Sequence, residues 1–149
     1  MKSVKKFINR LAALCCLLMI TTAMAQESDH TLTVLVFGAE PNEGMALFAL
    51  FDSKKTYLKT PKLSLEKPID GDGRAKFIVD GLTTGTYAVS VVHDKDNSGE
   101  LNTGFLGIPS EPVGISNNPT SRFGPPSFKK ARFELDKSKT IEISLRKIR

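Results

Sequence analysis

Residues 74–93 read RAKFIVDGLTTGTYAVSVVH, and this stretch indicates the fold class most clearly. Apolar and charged side chains alternate before the turn sequence DGLTTG, and apolar side chains again occupy every second position after it. The apolar positions are Ala75, Phe77, Val79, Tyr87, Val89 and Val91. A period of two places alternate side chains on one face of a strand, so the stretch predicts two strands that each bury one face.

Other short, β-branched segments, separated by glycine, proline and aspartate, predict further strands. Residues 31–37 and 141–145 are of this kind, residues 44–51 are apolar at both parities, and residues 63–65 suit an edge strand between prolines. No segment has an amphipathic helical pattern over a dozen residues. We therefore expect an all-β protein: an antiparallel, immunoglobulin-like β-sandwich of about seven strands with one long ordered loop.

The first 25 residues have the features of a secretory signal peptide. Four basic residues precede an apolar run over residues 11–20, and Ala23-Met24-Ala25 suits a cleavage site. The run is too short for a typical membrane-spanning helix, which needs about 20 apolar residues. We expect cleavage after Ala25, a single domain over residues 26–149, and a periplasmic or secreted location.

Cleavage would change the chemistry available to the chain. Both cysteines would leave with the peptide, which excludes disulfides and thiolate sites from the remaining domain. Four of the 21 basic residues and none of the 16 acidic residues lie before Ala25, so the net charge falls from +5 to +1. The basic composition therefore gives no reason to predict nucleic-acid binding.

The segment over residues 101–126 is unusually long for a connection within one domain. Glycine, proline, asparagine, serine and threonine account for 17 of its 26 residues, whereas ordinary connections have about 4 to 6 residues in total. Disorder is one interpretation of this composition. The segment also contains several large apolar residues, which favours a packed, ordered loop of the kind that often carries function.

Much of the chain resembles a known family. The sequence YAVSVVHDKDNSGELNTGFLGIPSEPVGISNN at residues 87–118, followed by RFGPPSFKKARFEL at residues 122–135, resembles the secreted bacterial domain-of-unknown-function family 2141. The resemblance is specific over residues 77–135. It implies an exported, small β-sandwich of the transthyretin-like or carboxypeptidase-regulatory-like type, and it implies no established activity.

Residues 93–105, HDKDNSGELNTGF, have the spacing of a calcium-binding loop. Five oxygen donors fall at EF-hand ligand positions: Asp94, Asp96, Ser98, the backbone carbonyl of Glu100, and Asn102. Gly99 falls at the sharp turn of such loops, but Phe105 stands where the bidentate glutamate would be. Since Ca²⁺ takes about six to eight oxygens, the loop needs a further ligand, and Glu111 could supply the missing carboxylate if the long loop folds back. A plain turn is the simpler interpretation, because aspartate and asparagine also hydrogen-bond their own backbone in turns.

His93 has two interpretations. It shares the parity of Tyr87, Val89 and Val91, which predicts a structural histidine that closes one end of the core. Alternatively it is a general base that works with Asp94, Asp96 or Glu111 in a small hydrolase or lyase. The remaining domain has no G-x-S-x-G sequence and no cysteine nucleophile, which weakens the catalytic alternative.

The C-terminal residues 122–149 contain nine basic and three acidic residues. A solvated face is the simpler explanation, and binding to an anionic polysaccharide or lipopolysaccharide is the alternative. The sequence thus favours a monomeric, non-enzymatic binding or envelope-accessory domain for an unidentified protein or glycan. It has no membrane span, and calcium is its only expected cofactor. A hydrolase or lyase using His93, and a purely structural domain without a ligand, are the alternatives.

Overall fold

The computed structural model describes residues 29–121 and 124–148, and of Leu106 the backbone alone. The predicted signal peptide, residues 1–25, lies outside the described residues. Eight strands are described: β1 (His30–Phe37), β2 (Met45–Phe51), β3 (Leu63–Pro68), β4 (Arg74–Leu82), β5 (Gly85–Asp94), β6 (Val113–Ile115), β7 (Phe133–Leu135) and β8 (Lys139–Ser144). A 3₁₀ turn (Phe105–Gly107) and one short helix, α1 (Phe128–Ala131), complete the secondary structure of this part.

The strands form two sheets that pack as a sandwich, which confirms the predicted fold class. The smaller sheet has the order β4-β1-β8, and the larger has the order β3-β2-β5-β6, with β7 also paired to β5. One more strand is present than the sequence predicted. The strands β4 and β5 belong to different sheets, and only residues 83–84 connect them. The stretch at residues 74–93 therefore forms a corner between the sheets.

One pair of strands departs from the expected antiparallel arrangement. Strand β8 runs parallel to β1, with Leu32 opposite Lys139 and Phe37 opposite Ser144. Parallel neighbours need a long crossover connection, and here nearly the whole domain lies between the two strands. Alternation along residues 141–145 predicted a half-buried strand, but alternation carries no information on the direction of its neighbour.

The inner faces of the two sheets enclose the main core. Phe48 on β2 and Phe77 on β4 are essentially inaccessible, and their rings stack at 4.9 Å between centroids. A second, smaller apolar cluster lies on the outer face of the larger sheet and includes Phe51, Tyr57 and Ala131. Strand β2 contributes side chains to both clusters, which explains why its sequence is apolar at both parities.

The long segment over residues 101–126 is packed in only part of its described length. Leu101, Phe105 and Ile108 are exposed, so these apolar side chains do not pack as expected, whereas residues 113–116 pack against the larger sheet. The segment contributes β6 to the larger sheet and contains Ser116, which is fully buried. The backbone N–H of Val89 donates to Ser116 Oγ at 2.9 Å, and the N–H of Ser116 donates to the Val89 carbonyl at 2.9 Å. These two bonds satisfy the backbone N–H and carbonyl of Val89, which lies between the residues of β5 that pair with β6 and those that pair with β7. No helix within residues 29–121 and 124–148 is long and apolar enough to cross a membrane.

Candidate metal centre

Asp94 is the last residue of β5 and lies on the outer face of its sheet. Its side chain is nevertheless only 1% exposed, because the following loop folds over it. Asp94 Oδ1 accepts the backbone N–H of Ser98 at 3.1 Å, and Oδ2 accepts the N–H of Gly99 at 2.8 Å. Asn97 and Gly99 have positive φ angles of 56° and 79°, which lets the chain turn tightly around the carboxylate.

Glu111 returns to this loop, which is the fold-back that a ligand role for its carboxylate would need. Its side chain is 5% exposed. Its Oε1 accepts the backbone N–H of Lys95 at 3.0 Å, and its Oε2 accepts the backbone N–H of Asn102 at 3.0 Å. A single buried carboxylate therefore joins the two ends of the loop over residues 95–102.

Three carboxylates converge at this point. Asp94, Asp96 and Glu111 each offer an oxygen, and these three oxygens lie within 4.8 Å of one another. We refer to these three residues as the acidic cluster. Asp94 and Glu111 are buried, whereas Asp96 is exposed. The arrangement has the all-oxygen character that hard cations such as Ca²⁺ prefer.

The other predicted ligands are Ser98, Glu100 and Asn102, which lie beside the acidic cluster. Their polar groups form hydrogen bonds with one another and with the carboxylates. The Ser98 hydroxyl donates to the Glu100 carbonyl at 3.2 Å and approaches Asp94 Oδ1 at 3.4 Å. Asn102 Nδ2 donates to Asp96 Oδ2 at 2.9 Å, so its amide presents nitrogen to the cluster. An amide flip would present oxygen instead, which is the orientation a metal ligand requires.

Hydrogen bonding favours the ionised form of Asp96. The Ser98 side chain lowers the pKa of Asp96 most, and smaller contributions come from Asp94 and Asn102. The Ser98 backbone N–H also donates to Asp96 Oδ1 at 3.2 Å. Asp96 is therefore held as an acceptor at the exposed side of the cluster.

No cationic side chain pairs with the acidic cluster among the described residues. Lys95, the nearest in sequence, extends instead to Glu40 at 2.5 Å and Glu43 at 3.3 Å. Hydrogen bonding to Glu40 is the main reason that the pKa of Lys95 is raised. Among the described residues, the carboxylates of the cluster accept hydrogen bonds from backbone N–H groups and from neutral side chains alone.

Two features that support the loop were not found from the sequence. The Glu40–Lys95–Glu43 group joins the loop to the segment before β2, and nothing in its spacing indicated a contact. Gly44 has a φ of +65°, and a Cβ at this position would lie 2.1 Å from the Asp94 carbonyl oxygen. A glycine is therefore required where the start of β2 lies beside the end of its paired strand β5.

His93 lies on the core side of β5 and is fully buried. Its Nε2 is 2.8 Å from the Glu43 carbonyl oxygen, and its Nδ1 has no hydrogen-bond partner among the described residues. The ring is not part of the acidic cluster. A general base must reach its substrate, so this burial argues against the catalytic interpretation.

Comparisons with known proteins give a family but no activity. No curated protein and no solved structure matches the chain. The family described as "Uncharacterized protein conserved in bacteria (DUF2141)" matches residues 34–143, which include both sheets and the acidic cluster. The chain therefore belongs to the DUF2141 family.

Proposed function

We propose that this chain is a non-enzymatic, exported β-sandwich domain that binds Ca²⁺ at the acidic cluster and presents the loop over residues 93–126 to a protein or glycan of the cell envelope. The observation that carries the calcium proposal is the convergence of three carboxylates without a paired cation among the described residues. The metal has a structural role in this proposal, because it fixes the loop rather than takes part in a reaction.

The electrostatics of the two buried members support a cation at this position. Asp94 and Glu111 have oxygens within 4.8 Å, a separation at which two unit charges repel by about 3 kcal/mol at an effective dielectric constant of about 20. A divalent cation between them turns this repulsion into attraction. Their bonds to backbone N–H groups do not prevent this, since a carboxylate oxygen has more than one lone pair.

The donor set also favours Ca²⁺ over structural Zn²⁺. With Asp94, Asp96 and Glu111 as charged ligands, the hydroxyl of Ser98, the carbonyl of Glu100 and the side-chain oxygen of Asn102 bring the number of ligating residues to six. Ca²⁺ takes about six to eight oxygens in flexible geometry, whereas structural Zn²⁺ prefers nitrogen and sulfur. We expect a Kd of roughly 10⁻⁴ to 10⁻³ M, the range of extracellular calcium modules.

Thermal melting of the purified domain in calcium and in chelator tests this proposal. With 1 mM Ca²⁺ and a Kd of about 0.1 mM, linkage gives about 1.4 kcal/mol of stabilisation, or a rise in Tm of roughly 3 to 6 °C. Superimposable melts in calcium, magnesium and chelator would show that the acidic cluster is only a turn.

Asp96→Asn is the most informative variant, because Asp96 is exposed and its replacement leaves the buried hydrogen bonds in place. We expect this variant to bind Ca²⁺ at least roughly tenfold more weakly, with little change of Tm in chelator. Asp72→Asn, at an exposed aspartate in a different turn, is the matched control and should retain the full calcium shift. Equal calcium shifts in the wild type and Asp96→Asn would contradict the site.

Export is the second part of the proposal, and the features of residues 1–25 support it. Expression of the full chain in a bacterial host, followed by fractionation and N-terminal sequencing, tests it directly. We expect the protein outside the cytoplasm, beginning at Gln26. An uncleaved cytoplasmic product beginning at Met1 would overturn this part and leave the calcium proposal intact.

A further inference from the structure

A cleft on the side of the larger sheet is positively charged, in contrast to the acidic cluster. It has a volume of about 540 Å³ and lies between α1 and the segment that follows β2. Its lining residues are Lys54, Ser127, Phe128, Lys129 and Arg132. We refer to this site as the basic cleft. Its volume lies in the range of about 300 to 1,000 Å³ that is typical of small-molecule sites.

The three cations of the basic cleft have no acidic partner within the part of the chain that the structure describes. Lys54, Lys129 and Arg132 are all exposed. Asp52, which is close to Lys54 in sequence, is already paired with Lys62 at 3.0 Å. The positive charge of the cleft is therefore available to a ligand.

Hydrogen bonds from Asn117 and Ser116 fix the backbone next to Lys129 and Arg132. Asn117 Nδ2 donates to the carbonyls of Lys130, Ala131 and Arg132 at 3.1, 3.1 and 2.9 Å. The Ser116 hydroxyl donates to the Ala131 carbonyl at 2.6 Å, and Ala131 itself is fully buried. This support fixes the backbone of α1 before any ligand arrives, which lowers the entropic cost of binding.

The floor of the cleft is less polar than its rim. The Phe128 ring is partly buried and packs edge-on against Tyr57, with 5.5 Å between the ring centroids. Tyr57 in turn packs edge-on against Phe51 of β2, at the same centroid distance of 5.5 Å. The site thus combines an aromatic surface with cationic side chains from two separate segments.

We propose that the basic cleft binds a small phosphate-bearing ligand whose body lies against Phe128. The guanidinium of Arg132 presents paired donors that match two phosphate oxygens, and Lys54 and Lys129 supply point charges. The Ser127 hydroxyl adds a neutral donor. Three cations suit a phosphate dianion better than a single carboxylate, because a carboxylate would leave most of the positive charge unbalanced.

Titration calorimetry in chelator, at fixed ionic strength, tests the proposal without involving calcium. The probes are pyrophosphate and a sugar monophosphate, and the variant is Lys54→Gln/Lys129→Gln/Arg132→Gln. We expect saturable binding of at least one probe to the wild type, and a loss of affinity of about tenfold or more in the variant. The absence of saturable binding by both probes at about 10 mM, together with no cleft-dependent binding to the phosphomonoester vesicles described below, would overturn the proposal.

A matched control separates the cleft from net charge. Lys67→Gln/Lys76→Gln/Arg146→Gln removes the same number and types of charge at exposed positions outside the cleft. This control should bind the probes as the wild type does. An equal loss of affinity in both triple variants would overturn the proposal, because it would show that the overall charge is responsible.

The same variants identify the source of the ligand. Sedimentation with neutral vesicles that contain about a tenth of a phosphomonoester lipid measures binding to a headgroup, and calorimetry with the sugar monophosphate measures binding to a free ester. Cleft-dependent binding in either arm supports the phosphate site and assigns its source. Vesicle binding that survives the Lys54/Lys129/Arg132 variant, together with no binding of the soluble probes, would refute it.

Discussion

The acidic cluster and the basic cleft differ in how their charged groups relate to the fold. Asp94 and Glu111 are buried, and their carboxylates accept backbone N–H groups that hold the loop in place. Lys129 and Arg132 are exposed, and the backbone beneath them is held by Asn117. At the acidic cluster, the two buried carboxylates that would hold the metal also hold the loop, whereas we expect the cations of the cleft to be removable at little cost to folding.

The largest loss of stability is expected at Gly44, where the start of β2 lies beside the end of β5. Gly44→Ala places a Cβ 2.1 Å from the Asp94 carbonyl oxygen at a φ of +65°, so the backbone must shift. We expect a loss of about 3 kcal/mol or more in the free energy of unfolding, measured by urea denaturation. Gly71→Ala is the control, because its Cβ would have no neighbour closer than 3.7 Å. Equal stability of these two variants would contradict the close approach of Gly44 to the Asp94 carbonyl oxygen.

The next largest loss in the free energy of unfolding is expected from removal of the Glu111 carboxylate. Glu111→Ala leaves the N–H groups of Lys95 and Asn102 without their acceptor, and we expect a loss of about 2 to 3 kcal/mol in chelator. Glu111→Gln retains one acceptor oxygen and should lose less. If Glu111→Ala unfolds at the same urea concentration as the wild type, the carboxylate does not hold the loop.

A smaller change in the free energy of unfolding, a gain rather than a loss, is expected at Tyr57, beneath the basic cleft. Its hydroxyl is buried without a hydrogen-bond partner among the described residues, so Tyr57→Phe should stabilise the domain by about 1 kcal/mol. Phosphate binding should be unchanged, because the substitution leaves the cations in place. Destabilisation by Tyr57→Phe would reveal a role for the hydroxyl.

The same tyrosine predicts a pH dependence. Burial raises the pKa of Tyr57 to about 12, whereas an unfolded tyrosine has a pKa of about 10. The folded state therefore retains the proton more strongly, and its stability should be complete below about pH 10 and decline as the pH rises toward 12. Urea unfolding across this range should show the decline in the wild type and a smaller decline in Tyr57→Phe.

The smallest effect on stability is expected from the triple variant of the basic cleft. Lys54, Lys129 and Arg132 make no ion pair among the described residues, so their joint replacement by glutamine should change the free energy of unfolding by less than about 0.5 kcal/mol. Urea denaturation measures this directly. A loss comparable to that of Glu111→Ala would remove the contrast between the two sites.

The alternation of side chains predicted which faces are buried, and much of the fold followed from it. It predicted the inner faces of β4 and β5. It could not predict that β4 and β5 lie in different sheets. Alternation specifies the face of a residue, but its neighbours depend on long-range pairing.

The candidate sites were predictable to different degrees. The spacing of Asp94 and Asp96 indicated a possible shared site because Ca²⁺ ligand spacing is local, whereas the approach of Glu111 depended on how the long loop folds back and was seen only in the structure. The orientation of the Asn102 amide depends on a hydrogen bond that the spacing cannot specify. The basic composition of residues 122–149 was visible in the sequence, but the cleft that joins Lys54 to Lys129 and Arg132 was found only in the structure, since Lys54 lies more than 70 residues before Arg132.

The parallel pairing of β1 with β8 has a consequence for how the chain folds. Leu32 lies opposite Lys139, so the smaller sheet joins the two ends of the domain, and its contacts span most of the sequence. Such high contact order slows folding, because the entropy of closing a large loop is lost before the strand pairing contributes any stabilising contacts. During synthesis β1 has only β4 as a sheet neighbour until the final strand emerges. A chain that ends before Lys139 should therefore expose one edge of β1, and the domain can complete its fold only when nearly all of it has been made.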